Sequence, residues 1–428
     1  MMLNPVVFAQ NKTAEEVSKK VDEYMKPLLQ MKDFSGNVFI KYKDDIIISK
    51  SYGLANADWG ITNALRTKFH IASLTKTFIA AGIAILQEHQ KIRLEDKLAK
   101  FLPDFPKGEQ ITIRHLLTHS AGVPDFYALP EYEKLKTQPM TIQQWIELVK
   151  TKPLDFAPGT QNSYSNTGYA LLAKVIEKVS NKPYQVFLKE RIFNVLYMQS
   201  TGIWSDEQII AKRATGYEPW YGIKGLVRAP YYNKEVLFGS GSLYSTINDL
   251  HRWYQALRKN KLFDIKAFPY GWGLRKRFNM QVLEQDGSNP GFVAHMSIAP
   301  ADDFCIIILG NIRSGAINQM KVDLAAIVLN KPYKIAKQRQ ITEPKPQLWQ
   351  EYVGTYEVSP KMKIWIKADN QRLYLKGTGG YFLPLEPLGD NKFFYPQMYV
   401  PIVFARNKSG KINRLLWGGN YPIKKISD

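Results

Sequence analysis

Late in the chain, two strongly apolar runs, Phe292 to Ala299 and Phe304 to Gly310, are separated only by Pro300-Ala301-Asp302-Asp303. Two such runs joined by a turn of that kind read as an antiparallel hairpin. A hairpin this apolar needs further strands and a cover of helices. Strand-like runs near 36–42 and 45–52, joined by the polar turn Lys43-Asp44, supply the strands. An amphipathic segment over 14–31 places Val17, Val21, Tyr24, Leu28 and Leu29 at helical spacing, and a second over 315–330 places Ile317, Met320, Leu324 and Ile327 on one face. One antiparallel sheet is therefore expected to draw its strands from both ends of residues 10–330, packed by the first and last helices.

The chain between those ends reads differently. A helix from about Ser73 to about Gln90 carries Phe78, Ile79, Ile83, Leu86 and several alanines, a pattern for burial nearly all round. Segments 114–118, 141–151 and 167–180 also have helical periodicity. The stretch 95–235 is expected to form an all-helical insert lobe, leaving a cleft between lobes. The fold class is α/β, α+β in detail. Lys331 to Gln347 is polar, holds Pro332, Pro344 and Pro346, and reads as a linker. Beyond it, 348–428 alternates apolar and polar residues in short runs such as Lys363-Ile364-Trp365-Ile366-Lys367. Turn signals at Asp369-Asn370, Gly379-Gly380, Gly389-Asp390 and Ser409-Gly410 separate them, as in a small all-β, barrel-like domain.

At 428 residues, 45% apolar and 22% charged, the chain suits one large domain plus a small one. No run of 18 or more apolar residues marks a transmembrane helix. The single cysteine, Cys305, reads as a small buried hydrophobe on a core strand, allows no disulfide within the chain, and leaves the compartment open. Residues 1–9 carry no charge and end Val7-Phe8-Ala9, like the last part of a secretory signal, which points outside the cytoplasm, to a periplasmic or secreted location. Residues 331–428 hold 17 Lys+Arg against 7 Asp+Glu, half of the net charge of +20 in under a quarter of the length. A basic module of this kind can meet anionic surfaces such as lipid headgroups or wall polymers, or only aid solubility. No nucleic-acid-binding module is recognisable.

Three short elements carry chemistry. Ser73-Leu74-Thr75-Lys76 is an S-x-x-K element, of which about two would arise by chance in a chain this long. Its context adds weight: it opens the apolar helix, so Ser73 and Lys76 share one face, and the helix N-terminus offers N–H groups to a developing oxyanion. A serine hydroxyl needs a base, and a lysine serves only when neutral, which burial favours. Tyr164-Ser165-Asn166 lies on a loop just before the helix at 167–180. There a tyrosine can relay protons and an asparagine can hold both a lysine and a substrate carbonyl; read alone, Tyr164 is a packing residue and Asn166 an N-cap. The third element, Gln285-Asp286-Gly287-Ser288-Asn289-Pro290-Gly291-Phe292, runs into the late hairpin, with a glycine that permits close backbone approach.

Together and in this order, the three resemble the serine β-lactamase and penicillin-binding-protein superfamily, most closely the branch of class C β-lactamases, D-aminopeptidases, DD-carboxypeptidases and related esterases. His115 to Gly122, Phe156 to Gly159 and Gly239 to Thr246 are similar to further hallmarks of that family, and the resemblance spans about 35–330. It implies Ser73 as an acylated nucleophile, Lys76 assisting its deprotonation, Tyr164 as general acid/base, Asn166 orienting substrate, and the N–H groups of Ser73 and Ser288 as oxyanion hole, with Gly287 beside them and no metal or organic cofactor. His115 and His119 resemble structural loop residues. The family's third motif begins with Lys or His, where this chain has Gln285, which puts recognition of a substrate carboxylate and strong β-lactamase activity in doubt. Arg228 is one residue that could restore the charge. Lys376-Gly377-Thr378-Gly379 has one residue too many and lies in the tail. The expected function is hydrolysis of a small peptide, amide or ester through an acyl-enzyme on Ser73. A β-lactamase or DD-peptidase proper and a non-catalytic peptide or β-lactam receptor are the alternatives, with specificity in the loops around 123–140 and 217–238.

Overall fold

The computed structural model describes residues 14–427 apart from 221–224, 344, 361, 370–371 and 379–381. The signal-like stretch 1–9 lies outside these residues, as do parts of the turns expected at Asp369-Asn370 and Gly379-Gly380.

The expected antiparallel sheet is present and is built from both ends of the large domain. Strands Gly36–Tyr42 and Asp45–Tyr52 lie at one side, followed by Phe304–Gly310, Phe292–Ala299, Met280–Asn289 and Gly273–Arg277 in that spatial order. Strand Gly36–Tyr42 pairs with Phe304–Gly310 in register from Gly36 opposite Gly310 to Tyr42 opposite Phe304. Because side chains alternate across a strand, each central strand feeds two cores. Val38, Ile40, Ile306 and Ile308 pack under helices Ala14–Gln30 and Ala316–Val328. Phe39, Cys305, Ile307 and Leu309 face helix Thr75–Glu88 and the middle of the chain. Burial on both faces explains why these strands read as continuous apolar runs.

Helix Thr75–Glu88 is buried from Thr75 through Leu86. Phe78 stacks on Trp253 of helix Ile247–Arg258, with ring centroids 4.7 Å apart. The middle segment holds helices Ile113–Leu117, Ile142–Lys150 and Asn166–Ser180, joined by long loops. It also contributes short strands that the periodicity did not reveal: Gly202–Ile203 in a three-stranded sheet with Leu243–Ser245 and Phe69–His70, and a hairpin of Tyr217–Trp220 with Gly225–Arg228. At two to four residues each, they are too short to carry a readable alternation.

The tail forms one nine-stranded antiparallel sheet around its own core of Trp349, Tyr352, Tyr356, Phe393 and Phe404. Its two edge strands, Leu383–Pro384 and Glu386–Pro387, are neighbours in sequence, so the sheet curls nearly closed. The tail is docked on the large domain at two places. Gly315 N–H donates to Pro396 C=O at 2.9 Å, and a Cβ on Gly315 would lie 2.4 Å from the Gln397 carbonyl oxygen, so no side chain fits there. Arg339, inside the stretch read as a linker, donates to both carboxylate oxygens of Asp33 at 2.7 Å and to Glu386 at 2.9 Å. Asp33 and Glu386 are both buried.

Candidate active site

Ser73 sits in a turn of 3-10 helix, Ala72–Leu74, that runs directly into helix Thr75–Glu88. The residue before it, Ala72, has φ +47°, a conformation unfavourable for any residue with a side chain. The next turn brings Lys76 back beside Ser73, with Nζ 3.1 Å from Oγ. Lys76 is 1% exposed. Its Nζ also donates to Asn166 Oδ1 at 2.8 Å and to the Ser240 carbonyl at 2.7 Å. Those two acceptors take two of the amine's hydrogens, which leaves its remaining direction for Ser73. The Ser240 carbonyl lies within the 239–246 stretch, which is thereby given a definite contact.

Tyr164 and Asn166 arrive from the loop before helix Asn166–Ser180. The N-cap of that helix is Ser165, whose Oγ accepts from Gly168 N–H at 3.1 Å, so the capping role considered for Asn166 falls to its neighbour. Asn166 is freed to face the site. Tyr164 hydroxyl donates to Ser73 Oγ at 2.8 Å and is half exposed, at the solvent side of the cleft. Its ring lies 4.5 Å, centroid to centroid, from the ring of His119. His119 Nδ1 accepts from Ser165 N–H at 3.1 Å, and burial, with Lys76 nearby, pushes the His119 pKa down to about 4. It is a neutral platform for the tyrosine at ordinary pH. His115 closes a capping box with Thr112 at the start of helix Ile113–Leu117, well away from Ser73 in role.

Strand Met280–Asn289 forms the opposite wall. A Cβ on Gly287 would lie 2.3 Å from the Ile71 carbonyl oxygen and 3.2 Å from Ser73 N. Only glycine lets this strand lie against the turn that carries Ser73, and Ser288 follows it directly. Gln285, two residues before and on the same face, donates from Nε2 to the Ser73 carbonyl at 3.3 Å. On the other face Asp286 is held by His295 at 2.6 Å and Lys321 at 2.5 Å; burial works against its charged form, but the hydrogen bonds from both partners and the lysine charge keep its carboxyl well below the ordinary range. Thus Ser73, Lys76, Tyr164, Asn166, Gln285 and Gly287 converge on one place.

Two residues near this place were not singled out from the sequence. Asp125 accepts from the Asn166 backbone N–H at 2.6 Å and from its Nδ2 at 2.9 Å, and burial raises its pKa above the ordinary value. Its signal was only a polar residue in the loop at 123–140. Arg313 donates from Nε to Ser288 Oγ at 3.2 Å. Arg228, considered as the compensating charge, instead pairs with Asp58 at 3.2 Å and is largely exposed.

A buried amine against a serine hydroxyl, a tyrosine hydroxyl on the same serine and a strand edge beside its N–H make an arrangement suited to acyl transfer. Fold and site together define a serine hydrolase of the β-lactamase and penicillin-binding-protein type. The chain belongs to the beta-lactamase family, whose sequence pattern it matches over residues 21–329. It is 26% identical over 441 residues to a penicillin-binding protein of Bacillus subtilis, covering 93% of this chain and 96% of that one. It is 28% identical over 248 residues to the teichoic acid D-alanine hydrolase of Staphylococcus aureus, covering 58% of this chain and 59% of that protein. The crystal structure of a penicillin-binding protein from Bacillus halodurans superposes with a TM-score of 0.62 at 25% identity, over 72% of this chain and 98% of that one.

Proposed function

We propose that Ser73 is acylated by a small ester, amide or peptide and that water then releases the acyl group. Lys76 takes the Ser73 proton as Oγ attacks the substrate carbonyl. The N–H groups of Ser73 and Ser288 hold the oxyanion, and Tyr164 passes a proton to the leaving oxygen or nitrogen as the acyl–heteroatom bond breaks. Asn166, fixed by Asp125, keeps Lys76 in place and meets the substrate. Gln285 supplies a neutral hydrogen bond where a charged one is usual, which favours acyl donors without a carboxylate over β-lactams. The observation that carries the reading is the contact of Ser73 Oγ with both Lys76 Nζ and Tyr164 hydroxyl, at 3.1 and 2.8 Å.

The staphylococcal relative's named substrate, a D-alanyl group on teichoic acid, is an acyl donor without a free carboxylate, and bacterial wall polymers are a setting in which the basic tail would be attracted to its target. An extracytoplasmic location fits that setting, and no helix among the described residues is long and apolar enough to cross a membrane.

The deciding experiment incubates the protein with a panel of D-alanyl esters, D-amino-acid amides, peptides and β-lactams, and reads adducts on Ser73 by mass spectrometry. Adducts that vanish in Ser73→Ala, with a rate loss on the order of a millionfold, are expected. Turnover by the Ser73→Ala protein near that of the parent overturns the proposal.

A further inference from the structure

Beside the catalytic strand lies a cavity of about 430 Å³, a volume ordinary for a small-ligand site. It is bounded on one side by the large domain, through Tyr132, Tyr232, Pro290 and Arg313, and on the other by the tail, through Phe382, Leu383 and Gln397. Three links of sequence and contact join its walls to residues neighbouring the reaction centre. Pro290 follows strand Met280–Asn289 directly, two residues beyond Ser288. Arg313 reaches from the cavity wall to Ser288 Oγ at 3.2 Å. Tyr132 packs its ring 4.8 Å from that of Tyr127, whose backbone N–H is held by Asp125 at 2.8 Å.

Strand Met280–Asn289 itself runs from one to the other. Strand Gly273–Arg277 pairs with Met280–Asn289 only as far as Gly273 opposite Glu284. Residues 285–289 therefore run on past the end of that neighbour, alongside Ser73, and lead to Pro290 at the cavity. A group attached to a carbonyl at Ser73 can lie along this edge. The charged groups around the cavity are engaged with protein partners: Arg313 with Glu218 and Ser288, Arg228 with Asp58, Lys136 with Glu133. What remains facing the void is mainly proline, tyrosine, phenylalanine and leucine, which suits an apolar guest rather than an anion.

We infer that the C-terminal β-domain supplies one wall of an apolar subsite that receives the substrate's acyl chain beyond its reacting carbonyl, so that the enzyme favours extended aliphatic or aromatic acyl groups. This rests on the Ser73 reading and adds the class of group that site accepts. Phe382 and Leu383 belong to the domain that is docked at Gly315 and Arg339.

The test compares p-nitrophenyl acetate with p-nitrophenyl 4-phenylbutyrate, two esters with one leaving group. The longer acyl group should give the higher kcat/KM. Phe382→Ala should lower that value roughly tenfold while the acetyl ester, too short to reach, loses little. Phe382 is half-buried and outside the tail's buried core, so the variant retains its fold. Leu383→Trp, which fills the space, should erase the preference by a second route. In parallel, binding of 4-phenylbutyrate to the Ser73→Ala protein is measured by calorimetry, where Phe382→Ala should weaken it by a similar factor. No preference for the longer acyl chain, equal losses on both esters, or binding indifferent to Phe382 each overturns the inference. If neither ester is hydrolysed but Phe382-dependent binding persists, the catalytic reading fails and the subsite stands. If binding is absent as well, both fail.

Discussion

Asp125 holds Asn166 by two hydrogen bonds at once, one from its backbone N–H and one from its side-chain amide, at 2.6 and 2.9 Å. The amide nitrogen is thereby committed to Asp125 and the oxygen is turned toward Lys76. An asparagine free to rotate would offer its NH2 to the lysine half of the time and repel it. Asp125→Ala should therefore lower kcat by about ten- to a hundredfold with a smaller change in KM, because the lost contact orients the base rather than the substrate. Asp125→Asn, which can still accept one bond, should recover part of the loss. Steady-state kinetics on an ester substrate check both, and equal activity in all three proteins would remove Asp125 from the site.

His119 predicts an acid limb of stability. Its pKa is about 4 in the folded protein against an ordinary 6.5, so between those values the unfolded chain binds more protons. The stability this neutral imidazole supports is complete above about pH 6.5 and is lost progressively as the pH falls toward 4. His70, pushed down to about 3 by burial, acts in the same direction and extends the loss further. Urea midpoints measured between pH 7.5 and 4.5 should fall steadily, and His119→Gln should flatten part of that slope. An unchanged slope in the variant would show that His119 does not titrate there.

Gln285 faces the Ser73 carbonyl, so its replacement reports on substrate charge. Gln285→His should raise kcat/KM for a carboxylate-terminated D-peptide or a β-lactam about tenfold more than for a simple ester, because a charged hydrogen bond adds about 1.5–3 kcal/mol to a contact the ester never makes. Parallel kinetics on the two substrates check it, and an equal change on both would show that Gln285 does not face the substrate.

Cutting the chain after residue 330 would remove Arg339 from the buried carboxylate of Asp33. Removing one partner of a buried ion pair costs about 3–5 kcal/mol. The isolated large domain should therefore melt well below the whole protein, contrary to a simple reading of 331–347 as a spacer. Asp33→Asn introduced into the truncated chain should return part of the lost melting temperature, and calorimetry on the three proteins checks it. A truncated domain as stable as the full chain would show that the clamp contributes little.

Much of this was legible in the sequence because it is local or periodic. The apolar hairpin, the helix behind Ser73 and the alternating tail each announce themselves within about ten residues. Ser73, Lys76, Tyr164 and Asn166 could be named from short motifs, and the structure joins them in one hydrogen-bonded series from Tyr164 through Ser73 and Lys76 to Asn166. What stayed hidden depends on which distant segments meet. Asp125 looks like any loop aspartate until the 123–128 turn is laid against the start of helix Asn166–Ser180. Arg313 is an ordinary residue after a strand until the sheet places it beside Ser288. The capping of that helix by Ser165 rather than Asn166 turns on one residue of phase, which spacing alone does not resolve.

The nine-stranded sheet of the tail ends, on both sides, in strands of only two residues, and each of those strands contains a proline, Pro384 and Pro387. A row of free backbone donors and acceptors at a sheet margin invites another chain to pair with it, and margins of two residues, each with a proline, offer only a short one. A strongly basic β-domain brought against a dense polyanion would be crowded among copies of itself, with its charge partly neutralised. Its margins then decide whether crowding ends in stacked fibres or in a surface layer of separate molecules, and short proline-bearing margins favour the second.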